Sequence, residues 1–379
     1  MSKQNELVAL SRTGASGGGN KNLIINGAMN IAQRSTSAVT VSDGSNEGYS
    51  TVDRFKVDFG SAMGGALSAQ QVDTPAGNSE FGKSLKLQCT TVNSSAMGSG
   101  SNRFLSVAQY LEGLDLQHLA YGQADAKKLT CSFWVYTNKT GRYGFSLIAQ
   151  DSGGSYDVWG SYFDVATANT WQKVTFTIEG NTSADIIATN TYGFLLDIYL
   201  SVGANRAGVS DSQWQAYSAA RVSGVYTDYV DFLDSTSNIF YVTGVQLEVG
   251  EKATDFEHRS YSDELLRCQR YYFQSSQFGT SSTGTASDCV KYHTYTKSAS
   301  AWSWHQSSLP SNMRAIPTVT THDGTTAGKI SHFSSNSGAS ANNKTPYGVS
   351  AKKEYFQVHV YWESGIYGFS FNFKADAEL

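Results

Sequence analysis

Short segments in which apolar and polar residues alternate recur along this chain, and turn-forming residues separate them. In one of them Val174, Phe176 and Ile178 point one way, while the threonines between them point the other way. This period of two is typical of a strand with one buried face. The pattern occurs at residues 84–89, 104–111, 128–137, 143–150, 171–178, 192–202 and 239–249. The intervals leave no room for crossover helices, so the sequence predicts two antiparallel sheets packed face to face.

The composition points to the same class of fold. The chain has 36 Gly, four Pro, 13% aromatic and only 16% charged residues, a balance that favours short strands and many turns over long surface helices. With 379 residues it has room for more than one domain. We therefore expect an all-β protein: a jelly-roll β-sandwich, a short linking helix and a smaller C-terminal β-sandwich domain.

The predicted domain boundaries rest on residues 239–273. An alternating strand ends at Gly250, and Ser260 then precedes Asp263 and Glu264, which is the pattern of a capped helix start with acids at the positive end of the helix dipole. Residues 1–20 are polar and glycine-rich and are predicted to form an arm or linker. We expect the jelly roll at residues 21–259, the linking helix at 260–273 and the C-terminal β domain at 274–379.

The bend before this helix contains Phe256, Glu257, His258 and Arg259. A Glu-His-Arg sequence would also suit acid–base chemistry. Hydrogen-bonding side chains are, however, needed at a turn to satisfy backbone groups. We therefore interpret these four residues as a structural joint between the two domains.

The last strands have an unusually aromatic face. At residues 355–362 and 366–374 every second residue is apolar, and Ser364 and Gly365 lie between the two segments. The pattern predicts a β-hairpin. Its aromatic face must be buried, either in its own domain or against a neighbouring chain.

Several classes of function are disfavoured. Net charge is −4 and the basic residues are scattered, so we expect no nucleic-acid binding. No segment approaches the ~18 apolar residues of a membrane helix, and the start has no signal-peptide core, so we expect synthesis in a cytoplasm and no membrane insertion. The four cysteines form no CxxC pair, and no Walker loop, HExxH or GxSxG motif occurs in a usable context. The sequence predicts no catalytic residue, metal site or cofactor. A structural calcium ion stays open, because loop carboxylates and carbonyls bind it without a linear motif.

Aromatic residues beside acids and amides are what sugars bind, since a pyranose face stacks on the ring and its hydroxyls take hydrogen bonds. Three clusters are candidates, and the alternative for each is a core or interface role. Acid pairs for glycoside hydrolysis leave no motif, so Asp151, Asp157 and Asp164 are also candidates for that chemistry. The candidate glycan-binding residues are Tyr156, Trp159, Tyr162, Trp214, Tyr217, Trp302 and Trp304.

Several strings together resemble one family. They are NLIINGAMNIAQRS at residues 22–35, FYVTGVQLEVGEKATDFEHRSYSDELLRCQRYYF at 240–273, MRAIPTVT at 313–320 and FNFKADAEL at 371–379. They look like tail-fibre and other virion structural proteins of bacteriophages, particularly marine ones, which carry a jelly-roll domain similar to carbohydrate-binding modules. The resemblance runs from about residue 22 to the end.

This resemblance implies a non-enzymatic virion component of a tail fibre or appendage that self-assembles and touches host surface glycan. The arm at residues 1–20 would attach the chain to other virion proteins, and a homo-oligomer, commonly a trimer, would be expected, although no heptad coiled coil enforces that state. The alternatives are a capsid decoration or head-fibre protein and a polysaccharide-degrading tailspike enzyme.

Overall fold

The computed structural model describes residues 21–43, 47–60, 63–93, 97–98, 101–276, 290–293, 301–323, 326–333, 340–362 and 368–379. The predicted arm at residues 1–20 lies outside the described residues, as does the predicted turn at Ser364 and Gly365. The described residues form two β-sandwiches, which confirms the all-β class.

The first sandwich is of the jelly-roll type, with two six-stranded antiparallel sheets. One sheet contains, in spatial order, β1 (Val39–Ser42), β3 (Ala66–Asp73), β4 (Lys83–Thr91), β14 (Ile239–Val249), β6 (Leu129–Thr137) and β9 (Gln172–Ile178). The other contains β12 (Trp214–Ala216), β8 (Tyr156–Val165), β7 (Gly141–Gln150), β10 (Tyr192–Val202), β5 (Phe104–Glu112) and β2 (Lys56–Gly60). All seven predicted strand segments therefore lie in these two sheets.

The core of this sandwich lies between the inward faces of the two sheets. Aromatic rings dominate it: Phe145 stacks on Phe176 at 4.3 Å between ring centroids, and Phe133 packs edge-on against Phe163 at 5.5 Å. Aromatic contacts of this kind add to the stability that burial of their area provides. The alternation that predicted the strands also predicted these inward positions.

A helix follows the first sandwich and begins at the position that the capping residue Ser260 predicted. In α1 (Tyr261–Gln269) the Ser260 hydroxyl accepts a hydrogen bond from the Asp263 N–H at 3.2 Å, and Asp263 and Glu264 occupy the first turn. The helix is shorter than predicted. It ends at Gln269, and the chain then enters the strand β15 (Tyr272–Gln274).

The C-terminal sandwich is built around β23 (Gly368–Asp376). The strands β15 and β18 (Thr318–His322) pair with its carboxyl-terminal half, while β16 (Val290–His293) and β19 (Ile330–Phe333) pair with its amino-terminal half. The strand β20 (Ser340–Lys344) extends this sheet beside β19. A separate three-stranded sheet has the order β17 (Ala301–Ser308), β22 (Tyr355–Trp362), β21 (Gly348–Ala351).

The predicted aromatic hairpin is wrong in its pairing. The strand β22 pairs with β17 and β21, whereas β23 belongs to the other sheet. Their apolar faces meet across the sandwich, where Phe356 lies 4.3 Å from Phe373 and 6.3 Å from Phe371 between ring centroids. The described phenylalanines of these segments, Phe356, Phe369, Phe371 and Phe373, are therefore buried in their own domain, one of the two outcomes that the sequence left open.

Charged groups connect the two sandwiches. Glu112 of β5 accepts hydrogen bonds from Arg270 at 2.8 and 3.0 Å and from the Tyr271 hydroxyl at 2.6 Å. Arg54 of the first sandwich pairs with Glu378 near the end of the chain. These contacts place the C-terminal sandwich at the carboxyl-terminal end of β5 and the start of β2.

Candidate functional site

Four aromatic side chains with large exposed areas meet on the outer face of the three-stranded sheet. Trp302 is 54%, Trp304 69%, Tyr347 73% and Tyr361 44% exposed. The ring centroid of Trp302 lies 4.3 Å from that of Tyr347 and 4.9 Å from that of Tyr361. We call these four residues the aromatic platform. Exposed apolar patches of this kind are typical of interaction sites.

Strand geometry explains why these rings point outward. In the register of β17 and β22, Trp302 pairs with Tyr361 and Trp304 pairs with His359. Side chains two residues apart share a face, so Trp302, Trp304 and Tyr361 lie on one side of the sheet. Tyr347, just before β21, joins them through its contact with Trp302. Val358 and Val360 alternate with them and are buried on the other side. The platform residues therefore do not contribute to the core on the other side of the sheet.

Uncharged polar side chains continue the same face beyond the rings. Gln306 of β17 pairs in register with Gln357 of β22, and the Gln357 amide donates a hydrogen bond to the Gln306 carbonyl oxygen at 3.2 Å. The outward-facing positions of the three strands are 302, 304, 306, 308, 348, 350, 355, 357, 359 and 361, and none of these is Asp, Glu, Lys or Arg. The surface can stack on a ligand and hydrogen-bond to it, but offers no carboxylate for glycoside hydrolysis.

A second group of aromatic residues lies on the outer face of the sheet that contains β5, β8 and β10. Tyr156 and Tyr192 are nearly parallel at 5.9 Å between ring centroids, Tyr110 is edge-on to Tyr192 at 5.1 Å, and Tyr217 is edge-on to Tyr156 at 6.1 Å. We call these four the tyrosine cluster. Each ring is half-buried against its neighbours, so less ring surface is open than on the platform.

The middle of that sheet face is covered by the chain itself. We call residues 207–223 the strap. Its middle part, β12, extends the sheet beside β8, while its ends, β11 (Ala207–Val209) and β13 (Val222–Ser223), pair with each other in parallel over the sheet face. The strap lies directly on the sheet because glycines face it. A Cβ on Gly160 would lie 2.4 Å from the Arg221 carbonyl oxygen, and one on Gly144 would lie 2.7 Å from a Val222 methyl carbon.

A polar group is enclosed beneath the strap. Asp197 accepts hydrogen bonds from the Ser106 hydroxyl at 2.9 Å and the Tyr199 hydroxyl at 3.0 Å, and Arg221 of the strap lies 3.6 Å away. Burial raises the pKa of Asp197, although Arg221 opposes this. A raised carboxyl pKa is typical of general acids, but Asp197 is fully buried and meets no solvent in which a substrate could approach.

The prediction that Trp159 contacts a sugar is wrong. Its side chain is 1% exposed and packs in the core against Phe145 at 6.1 Å and Phe176 at 5.9 Å between ring centroids. Trp214, its register partner, is half-buried, lies edge-on to Tyr121 and donates its indole N–H to the Glu179 carbonyl at 2.6 Å. Neither indole presents an open face like those on the platform.

The ring of Tyr162 is also covered by another side chain of the protein. The Arg142 guanidinium lies 3.6 Å from its ring centroid and forms ion pairs with Asp164 at 3.1 Å and Asp228 at 3.3 Å. The other two predicted acids have separate local roles. Asp157 accepts from the Asn181 amide at 2.6 Å, and Asp151 accepts from the Ser155 N–H at 2.7 Å.

The four residues of the predicted joint contact the first sandwich, and their contacts with the described residues do not reach the C-terminal sandwich. The rings of Phe256 and His258 lie 4.9 and 5.6 Å from that of Phe81. Glu257 accepts from the Asn22 N–H at 2.8 Å and the Lys21 N–H at 3.2 Å, and Arg259 donates to the Ile24 carbonyl at 3.0 Å. Burial alone would raise the pKa of Glu257, but these N–H groups and Arg259 hold it below its ordinary value. Contact between the sandwiches depends instead on residues such as Glu112 and Arg270.

Sequence reasoning found Trp302 and Trp304 but missed the rest of the platform. Alternation around the buried Phe356, Val358 and Val360 could have placed Tyr361 and Gln357 on the outward face. Tyr347 lies just before β21, so alternation along a strand could not have predicted its position. Of the predicted residues, the structure brings Tyr156 together with Tyr217, and Trp302 near Trp304.

Within the described ranges, no three His, Cys, Asp or Glu side chains are grouped as a metal ion would need. The described helices include none with the length and apolar character to cross a bilayer.

No protein-family model matches this chain, and no curated protein matches it. Among solved structures, it is similar to the enzymatically active domain of tailspike protein 4 from bacteriophage CBA120, with 12% identity and a TM-score of 0.32 over 61% of this chain and 22% of that one. It thus spans about a fifth of that tailspike chain. It is also similar to a family 11 carbohydrate-binding module from a cellulosomal cellulase of Clostridium thermocellum, with 11% identity and a TM-score of 0.27 over 58% of this chain and 98% of that module.

Proposed function

We propose that this chain is a non-enzymatic structural component of a bacteriophage particle, in a tail fibre or another appendage, and that it binds glycan on the host surface. The observation that carries the glycan-binding part is the aromatic platform, where rings with open faces lie beside amide side chains. Stacking on ring faces combined with hydrogen bonds to hydroxyls is how proteins hold sugars.

The lack of charge on the platform supports binding rather than hydrolysis. Hydrolysis of a glycosidic bond needs two carboxyl groups flanking it. The outward positions of β17, β21 and β22 supply none, and Asp197, one of the carboxyls whose pKa burial raises, is enclosed beneath the strap.

The assignment to a phage particle is supported by the resemblance of residues 22–35, 240–273, 313–320 and 371–379 to virion structural proteins. In this proposal the chain is made in the host cytoplasm, joins other virion proteins through residues 1–20 and assembles as a homo-oligomer, with a trimer favoured. Mass spectrometry of purified particles tests the location. Particles that lack the chain would contradict it.

Glycan binding is tested by array and calorimetric measurements on the full chain and on Trp304→Ala. We expect the substitution to weaken binding by about tenfold or more, because a large stacking surface is lost. The melting temperature should not change, since Trp304 is largely exposed. Tyr261→Ala is the matched control: it removes another exposed ring, which lies on α1 and away from the platform.

Equal binding by both variants and the unmodified chain, or no binding to any glycan, would refute the platform as a sugar site. Release of reducing sugar from host polysaccharide would instead favour a depolymerase and overturn the non-enzymatic assignment.

A further inference from the structure

We infer that the aromatic platform takes neutral glycan chains, laid along β17, and discriminates against acidic ones; this inference rests on the proposed function. It adds a class of ligand and a direction of binding, both of which follow from the register of β17, β21 and β22.

The direction follows from how side chains are ordered along the strand. Trp302, Trp304 and Gln306 lie on one face at intervals of about 7 Å, the spacing of alternate residues in a strand. Tyr361 and Gln357 stand beside the first and last of these positions on β22. The face therefore runs from an aromatic end to an amide end. A chain of several sugars lying along β17 stacks at the first end and hydrogen-bonds at the second.

The preference for neutral sugars follows from charge. A carboxylate or sulfate group that leaves water needs a cation or several donors to offset its desolvation. None of the ten outward positions of the sheet carries Lys or Arg. Lys352 and Lys353 lie in the turn between β21 and β22, at the end of the sheet opposite Trp302. Among the described residues, these ten positions offer an acidic chain no ion pair; Lys329, whose ammonium donates to the Thr345 hydroxyl at 2.7 Å, lies outside them.

The amide end suits hydroxyl groups. The Gln357 amide donates to the Gln306 oxygen, so each side chain keeps further donor and acceptor capacity for a ligand. Hydroxyls both donate and accept, and they match such a pair without any change in charge. This complementarity favours a sugar chain over a second copy of the chain as the occupant.

The test compares binding of a neutral hexose oligosaccharide with that of a uronic-acid oligosaccharide of the same length and linkage, by calorimetry on the full chain. We expect the neutral chain to bind at least about tenfold more tightly. Its affinity should not change between low and high salt, because no ion pair is screened. Gln306→Ala and Gln357→Ala should each weaken neutral binding severalfold without changing the melting temperature.

A variant that introduces a positive charge tests the same inference by a gain in affinity for the acidic chain. Gln306→Lys should raise the affinity for the uronic-acid chain by about tenfold at low salt, and high salt should abolish that gain. Glu354→Gln, in the turn beyond the platform, is the control and should change neither affinity.

Equal or tighter binding of the acidic chain by the unmodified protein would overturn the inference and leave the proposed function standing. Neutral binding that survives Trp304→Ala would also overturn it, since the sugar would then bind elsewhere. If neither chain binds, the proposed function itself fails. If light scattering shows that Trp304→Ala breaks an oligomer while no sugar binds, the platform is an interface between copies and both proposals are wrong.

Discussion

Asp53 is a buried carboxyl at the meeting of the two sandwiches. It accepts a hydrogen bond from the Gln33 N–H at 3.0 Å and lies 3.7 Å from the Arg34 guanidinium. Gln33 also donates to the Tyr272 carbonyl at 2.8 Å, and Arg34 stacks on the Tyr272 ring at 3.6 Å. Burial raises the pKa of Asp53 to about 6, outweighing the lowering by Arg34 and Gln33.

This raised pKa predicts a pH dependence. The folded-state pKa lies above the ordinary value of about 4, so the folded protein holds the proton more tightly than the unfolded chain does. The stabilisation from Asp53 is then fully present below about pH 4 and is lost as the pH rises through about 6. A shift of two units corresponds to roughly 3 kcal/mol.

The measurement is urea unfolding of the protein and of Asp53→Asn across this pH range. The uncharged amide mimics the protonated carboxyl, so the variant should gain stability relative to the unmodified protein as the pH rises. Asp73→Asn is the control, because Asp73 is 88% exposed in its pair with Lys83. A stability difference between Asp53→Asn and the unmodified protein that stays constant with pH would contradict the assignment.

At the scale of elements, the strap explains why both faces of β8 are buried. Val158 is buried beneath it while Trp159 is buried in the core, so this strand has two covered faces. The Ser212 N–H donates to the Gly160 carbonyl at 3.0 Å and the Ser161 hydroxyl donates to Asp211 at 2.8 Å, which holds the strap against β8.

Gly160→Ala should destabilise the protein. The added methyl would meet the Arg221 backbone at 2.4 Å, which cannot yield as a flexible side chain would. We expect a loss of about 1–3 kcal/mol, the usual cost of overpacking. Gly82→Ala is the matched control, because nothing lies within 4 Å of its added Cβ. Chemical unfolding measures both variants, and equal stabilities would show that the strap is free to move away.

At the scale of the whole molecule, the two sandwiches are joined by polar contacts, most of them partly buried. Arg314 of the C-terminal sandwich donates to the Asn190 carbonyl at 2.6 Å and to the Ala377 carbonyl at 2.8 Å. Glu112 binds Arg270 and Tyr271 from the other side of the interface. These contacts predict that both sandwiches unfold together in one calorimetric transition.

Glu112→Ala should separate that transition into two. It leaves the buried Tyr271 hydroxyl without this acceptor and the half-exposed Arg270 without its carboxylate, at a cost of about 2–3 kcal/mol. Glu179→Ala removes an exposed partner of Lys128 and is the control; it should leave the transition almost unchanged, because solvent screens an exposed ion pair. A single unshifted transition in Glu112→Ala would mean that other contacts suffice to join the domains.

Local patterns in the sequence determined the all-β class, most strand positions and the start of α1, because a period of two and a helix cap depend on residues close together in the chain. They also placed Trp302 and Trp304 on one strand face. Only the tertiary structure decided which sheet each strand joins. Alternation identifies the buried face of β22 and of β23. It cannot show whether the two strands pair in a hairpin or face each other from two sheets, because both arrangements bury the same residues. For the same reason the strap, the burial of Trp159 and the meeting of Tyr347 with Trp302 depend on contacts between distant segments, which no local pattern encodes.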